Sequence, residues 1–119
     1  MKKVLVVEDD KKIAKSLEIR LRSMGCKPYL AYDAVMGINS AVKHNPDLVI
    51  MDITMPAGNG LSAAESMRNI SSTSSIPIIF ITASKKLSHR EQALELGAVG
   101  FFEKPYDIEN LLDKVSQVI

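Results

Sequence analysis

The sequence lacks the features that would send a 119-residue chain to a specialised environment. It holds one cysteine, Cys26, so no internal disulfide can form and a reducing compartment is expected. Fifteen Lys and Arg against fourteen Asp and Glu leave a formal charge of +1, too little for bulk attraction to nucleic acid or anionic lipid. Apolar runs stop at about six residues, far short of the ~20 needed to cross a bilayer. Val4–Val7, behind Met1-Lys2-Lys3, is likewise too short for a signal peptide. No internal repeat occurs, and the one biased stretch, Ser71-Ser72-Thr73-Ser74-Ser75, reads as a flexible loop. His44 and His89 stand without any partner pattern; both are expected on the surface, and neither reads as a phosphohistidine. Cys26, just past a helix end, reads as a half-buried small hydrophobe. These absences leave a soluble, cytoplasmic unit with no membrane segment.

What is present is ordinary globular material, 46% hydrophobic and 24% charged. At 13.1 kDa, surface scaling gives ~6,400 Å² folded against ~19,000 Å² unfolded, enough burial for a core without staples. Four apolar runs, Val4–Val7, Leu48–Met51, Ile76–Ile81 and Val99–Phe102, are strand-length and show no polar alternation. Strands of that kind are covered on both faces, as in a parallel sheet. A weaker fifth strand, Pro28–Tyr32, has the polar neighbours of a sheet edge. Between the strands lie helical stripes: Ile13, Leu17, Leu21 and Met24, closed by Gly25; Val35, Ile38, Ala41 and Val42, capped by Asp33; and Leu61, Ala64, Met67 and Ile70. The stretch from Leu87 to Leu96 has a poorer period, whereas Ile108, Leu111, Leu112, Val115 and Ile119 behind Asp107 are regular. Five β-α units with right-handed crossovers make an α/β three-layer sandwich, a flavodoxin-like (βα)5 fold with a five-stranded parallel sheet of order 2-1-3-4-5. One domain is expected over residues 1–119.

In such a sheet, ligands bind beyond the C-terminal strand ends. The first strand ends in Glu8-Asp9-Asp10, the third in Asp52, the fourth in Thr82 and the fifth in Lys104-Pro105. In the order 2-1-3-4-5 these ends are consecutive neighbours, about 4.8 Å from strand to strand. Taken singly, each residue has a plain alternative. Asp52 suits a turn, Glu8-Asp9-Asp10 a helix cap, Thr82 a strand end and Lys104 a solvated surface. Taken together they would be four unrelated accidents on one rim. Crowded carboxylates raise each other's pKa unless a cation sits among them, and Mg²⁺, a hard ion with oxygen ligands, fits the need. A neutralised Asp52 can then act as a carboxylate nucleophile toward phosphorus. The three oxygens of the transferred group would go to Mg²⁺, the Lys104 ammonium and the Thr82 hydroxyl.

With Val6-Val7-Glu8-Asp9, Met51-Asp52-Ile53-Thr54-Met55-Pro56 with Gly60, Thr82-Ala83, and Phe101 with Lys104-Pro105, the chain resembles the receiver domain of bacterial two-component response regulators. The separations agree as well: 43 residues from Asp9 to Asp52, 30 more to Thr82 and 22 more to Lys104. The resemblance covers the whole chain and is similar to single-domain chemotaxis regulators. It implies that Asp52 accepts a phosphoryl group from a sensor histidine kinase or a histidine phosphotransfer protein. It also implies Mg²⁺ held by Asp9, Asp52, the Thr54 backbone carbonyl and, through water, Glu8. Thr82 and Lys104 would read the phosphoryl group, Thr82 and Phe101 would switch, and the bond before Pro105 would be cis. Two positions depart from the commoner pattern. Ala57-Gly58-Asn59 lacks the usual acidic residue, with Asn59 keeping only the shape, and Phe101 replaces a frequent tyrosine and so offers no hydroxyl.

The expected function is therefore a stand-alone phosphorylation switch, acting on an unidentified downstream protein without direct contact to nucleic acid or membrane. It is not an enzyme beyond its own phosphorylation and dephosphorylation. A receiver excised from a longer regulator or hybrid kinase would read the same. An aspartate-nucleophile phosphohydrolase would need a second acid two residues on, where Thr54 stands. A flavin carrier would need a glycine- and hydroxyl-rich phosphate loop where Glu8-Asp9-Asp10 stands.

Overall fold

The computed structural model describes residues 1–56 and 58–119; Ala57 lies outside the described residues. Strand β1 (Lys3–Val7) leads through α1 (Lys11–Ser23) to β2 (Lys27–Ala31), then α2 (Ala34–His44) and β3 (Leu48–Asp52). Two short strands, β4 (Thr54–Met55) and β5 (Gly58–Asn59), precede α3 (Gly60–Arg68). The chain closes with β6 (Ile78–Thr82), α4 (Leu87–Glu95), β7 (Gly100–Glu103) and α5 (Ile108–Val118). The main sheet runs β2-β1-β3-β6-β7, all parallel. This is the expected 2-1-3-4-5 order, with β4 and β5 set aside as a small antiparallel pair.

The strand runs are apolar throughout because both faces are covered. Leu5, Val7, Val49, Met51, Ile78 and Phe80 point into one core layer with α2, α3 and α4. Their alternates Val4, Val6, Leu48, Ile50, Ile79 and Ile81 point into the other, with Leu17 and Leu21 of α1 and Leu111, Leu112 and Val115 of α5. Each such side chain contributes roughly 1.5–3 kcal/mol on burial, so the two layers dominate the stability. The folded surface, 6101 Å², is close to the size-based expectation.

Several local features differ from the sequence expectation. On α2 the buried face is Ala34, Gly37 and Ala41, while Val35 and Val42 face solvent. The small residues let the helix sit directly on Val7: a Cβ built on Gly37 would lie 2.9 Å from the Val7 Cγ2. Ser71–Ser75 is folded into turns around Thr73, whose buried hydroxyl donates to the Met67 carbonyl at 2.7 Å. It joins the Ile70 amide on that carbonyl and so ties the turns to the end of α3. Cys26 is 2% exposed rather than half-buried. It follows Gly25, whose φ of +82° lets the Cys26 amide turn back onto the Leu21 carbonyl and tucks the thiol under α1. His44 is half-buried and stacks on Tyr29 with ring centroids 3.9 Å apart. His89 is half-buried as well. Helix α4, the poorly periodic one, buries Ala93 alone.

Candidate functional site

Register decides which side chains meet. Val7 lies opposite Met51, and Asp52 opposite Ile81, so Glu8 and Asp52 leave the sheet at one level and Thr82 one residue further on. The Glu8 amide still donates to the Ala31 carbonyl, and the Lys104 amide to the Thr82 carbonyl at 2.7 Å, so pairing continues beyond the strands proper. The acidic tripeptide after β1 divides its work. Asp10 caps α1, accepting from the Lys12 and Ile13 amides at 2.9 and 3.2 Å. Glu8 and Asp9 are left to face Asp52. Carboxylate oxygens of Glu8, Asp9 and Asp52 lie within 4.8 Å of one another.

Glu8 and Asp52 are fully buried and Asp9 is half-buried. Lys104 answers them, its Nζ donating to Glu8 Oε1 at 2.6 Å and to Asp52 Oδ2 at 3.1 Å. One ammonium cannot balance three carboxylates: fully ionised, the group carries a net −2, too costly to bury unrelieved. The pKa values show the imbalance. Burial pushes the Glu8 carboxyl up to about 7, against the pull of Lys104 and with the help of Asp52. Burial alone would lower the Lys104 ammonium, but its bonds to Glu8 and the charge of Asp52 outweigh that and hold it above the usual lysine range. A net charge of −2, oxygen donors only and one half-open carboxylate are what a small divalent cation requires.

The remaining predicted residues frame this cluster. Thr54 donates its amide to Asp52 Oδ1 at 3.2 Å. Thr82 is buried, and its hydroxyl oxygen accepts the Ser84 amide at 2.9 Å. The Lys104–Pro105 peptide is cis. Phe101 stands apart on β7, half-buried, with the Arg90 guanidinium 5.2 Å over its ring. Asn59 does more than keep a loop shape: its side chain caps α3, accepting from Leu61 at 2.7 Å. A cleft of about 460 Å³ opens beside Asp9, lined by Thr54, Met55 and Asn59 among others.

Sequence reasoning missed Tyr106. It packs edge-on to Phe102, and burial raises its phenol pKa, with Lys104, Glu8 and Asp52 all close enough to act on it. Only its place one residue past the cis bond could have drawn attention to it. The hydrogen bond between His89 and Ser84, 2.8 Å long, was also invisible in a pattern five residues wide.

Known proteins resemble this chain in sequence and in fold. Response regulator ArlR of Staphylococcus aureus is 35% identical across the whole chain, which spans about half (53%) of that longer relative. Chemotaxis protein CheY4 of Vibrio cholerae superposes with a TM-score of 0.91 at 28% identity, covering 100% of this chain and 99% of that one. TrrA of Thermotoga maritima, solved in complex with Mg²⁺ and BeF, gives 0.87 at 28% identity and covers both chains completely. Among the described residues, no helix is long and apolar enough to cross a membrane. The response regulator receiver domain family matches residues 4–116, nearly the whole length, and this chain belongs to it.

Proposed function

We propose that the chain takes a phosphoryl group onto Asp52 and changes its partner-binding face in response. The observation that carries this reading is the Lys104 ammonium shared between Glu8 and Asp52, inside a carboxylate cluster that remains net negative. Asp9 and Asp52 would hold Mg²⁺ directly, with the Thr54 carbonyl, and Glu8 would act through water; the bound ion would supply positive charge beside the acceptor. The protein's own groups do the rest. Lys104 lies within reach of a phosphoryl group on Asp52, and the Thr82 hydroxyl can turn to donate to it. The donor would be a cytosolic histidine kinase or phosphotransfer protein, with residues 1–119 acting as one receiver unit without contact to nucleic acid or membrane. The protein would promote only its own phosphorylation and dephosphorylation. Incubation with acetyl phosphate and Mg²⁺ should add one phosphoryl group by intact mass spectrometry. A mass that stays unchanged over a range of Mg²⁺ concentrations would rule the reading out.

Asp9→Asn tests the metal set. The substitution should weaken Mg²⁺ binding by at least ~10-fold, since even outer-shell partners of metal sites are worth that much. The metal-free fold should hold or gain about 1 kcal/mol, because one of three crowded carboxylates loses its charge. Asp10→Ala should do the opposite, losing about 1 kcal/mol of cap energy while leaving Mg²⁺ affinity alone. Thermal melts with and without Mg²⁺ separate the two. Lower metal-free stability in Asp9→Asn would show that Asp9 serves the helix instead.

Thr82→Ala separates receiving the signal from transmitting it. The reactive oxygens of Asp52 do not depend on Thr82, so phosphorylation should persist, though more slowly. The rearrangement should not persist. A phosphoryl oxygen drawing the Thr82 hydroxyl inward vacates space behind β6, and Phe101 can leave its place beneath Arg90 to fill it. The gap between such states must be a few kcal/mol for one group to tip it. NMR shifts from Leu87 to Val115 should therefore move on phosphorylation of wild type and stay nearly still in the variant. Equal movement in both would remove Thr82 from the coupling.

A further inference from the structure

The loop leaving β6 is tied back to α4 by a side-chain bond outside the carboxylate cluster. In the first turn of α4, His89 sets its Nδ1 2.8 Å from the Ser84 Oγ. The same oxygen accepts the Lys86 amide at 3.2 Å, which occupies a lone pair and leaves the hydroxyl proton available to Nδ1. Lys86 supplies no side-chain cap to α4, so Ser84 and His89 close the start of the helix between them. On the other side of the same residue, the Ser84 amide donates to the Thr82 hydroxyl oxygen at 2.9 Å. Imidazole, serine and threonine thus form one continuous path from the surface of α4 to a buried hydroxyl at the end of β6.

We propose that His89 is a positioning residue: a latch that keeps the Ser84 amide on the Thr82 hydroxyl and so opposes the turn of that hydroxyl toward a phosphoryl oxygen. This rests on the reading of Asp52 as the phosphoryl acceptor. To donate to a group on Asp52, the Thr82 hydroxyl must either leave the Ser84 amide or draw the loop inward with it. The second path pulls the Ser84 Oγ off the imidazole. Because that path breaks it, the bond that fixes Ser84 favours the resting loop, and a bond of this kind shifts an equilibrium by about fivefold. That is large enough to set the resting population and small enough for one phosphoryl group to override. Helix α4, which buries only Ala93, offers little packing to do the same work.

Titration of the intact chain with beryllofluoride and Mg²⁺, followed by calorimetry, tests the latch. His89→Leu should bind the phosphoryl mimic about fivefold more tightly than wild type. His89→Asn places a polar atom near the position of Nδ1 and should behave like wild type, whereas His89→Gln reaches past it and should resemble His89→Leu. In a Ser84→Ala background, His89→Leu should add nothing further. Affinity of His89→Leu within about twofold of wild type, failure of His89→Asn to restore it, or an undiminished gain without the Ser84 hydroxyl would each overturn the latch. If wild type itself takes up no mimic, the phosphoacceptor reading falls and the latch with it. If wild type binds and His89→Leu does not differ, the latch alone falls.

Discussion

Asp52→Asn is expected to abolish phosphoryl uptake from acetyl phosphate while leaving the fold intact. The amide keeps the volume of the carboxylate in a fully buried position, so no cavity forms. It removes the nucleophilic charge, which no neighbour can replace. Glu8 is held by Lys104 and by its own raised pKa, and Asp10 is committed to the α1 cap. The substitution also removes the Asp52 charge, which helps raise the Glu8 pKa. The metal-free variant should therefore melt no lower than wild type. Intact mass spectrometry and a melting curve, taken together, separate a lost nucleophile from a lost fold. Full labelling of the variant would assign the phosphoryl group elsewhere, and a collapsed melt would mean that Asp52 is needed for structure.

The second large effect concerns a residue with no side chain. Gly60 opens α3 directly behind Asp52, its amide donating to the Ile53 carbonyl at 2.9 Å. A Cβ at this position would overlap the Asp52 carbonyl oxygen and come within 2.9 Å of the Met51 Cγ. The obstructing oxygen is backbone at the end of a fully buried strand and cannot swing aside as a side chain would. Gly60→Ala should therefore cost about 3 kcal/mol or more, the range of severe overpacking. For a chain of this length that is a fall in melting temperature of ~10 °C. Whatever fraction stays folded should bind Mg²⁺ poorly, because relief of the overlap moves the main chain that carries Asp52. A variant within about 1 kcal/mol of wild type would mean that the start of α3 can shift independently of β3.

The architecture was readable because two periodicities carry it. Unbroken apolar strands announce a sheet covered on both sides, and the regular stripe behind Asp107 became α5 as expected. The rim followed from the sheet order, since strand ends that are neighbours in space need not be neighbours in the chain. What stayed hidden depended on distances that no spacing encodes. The stripe of large residues on α2 pointed to Val35 and Val42, yet the helix packs through Ala34, Gly37 and Ala41 because β1 leaves room only for small groups. The division of labour within Glu8-Asp9-Asp10 is a matter of where the chain turns, and composition cannot rank three adjacent acids. The serine-rich stretch looked loose by composition, but a single buried hydroxyl on Thr73 organises it. Tyr106 escaped notice because its relation to Lys104 passes through the cis peptide.

The wide separation of the site's parts along the chain has a consequence for how the molecule comes into being. Lys104 meets Glu8 across 96 residues and Asp52 across 52. No hairpin or local turn can bring these groups together; only the completed parallel sheet does, and parallel pairing is the slow, non-local kind whose loop-closure entropy is spent before the contacts reward it. A nascent chain released short of β7 would carry the carboxylates without their ammonium, and no fragment should show a diluted form of the chemistry. Glu8, Asp52 and Lys104 are therefore together only once the last strand has paired.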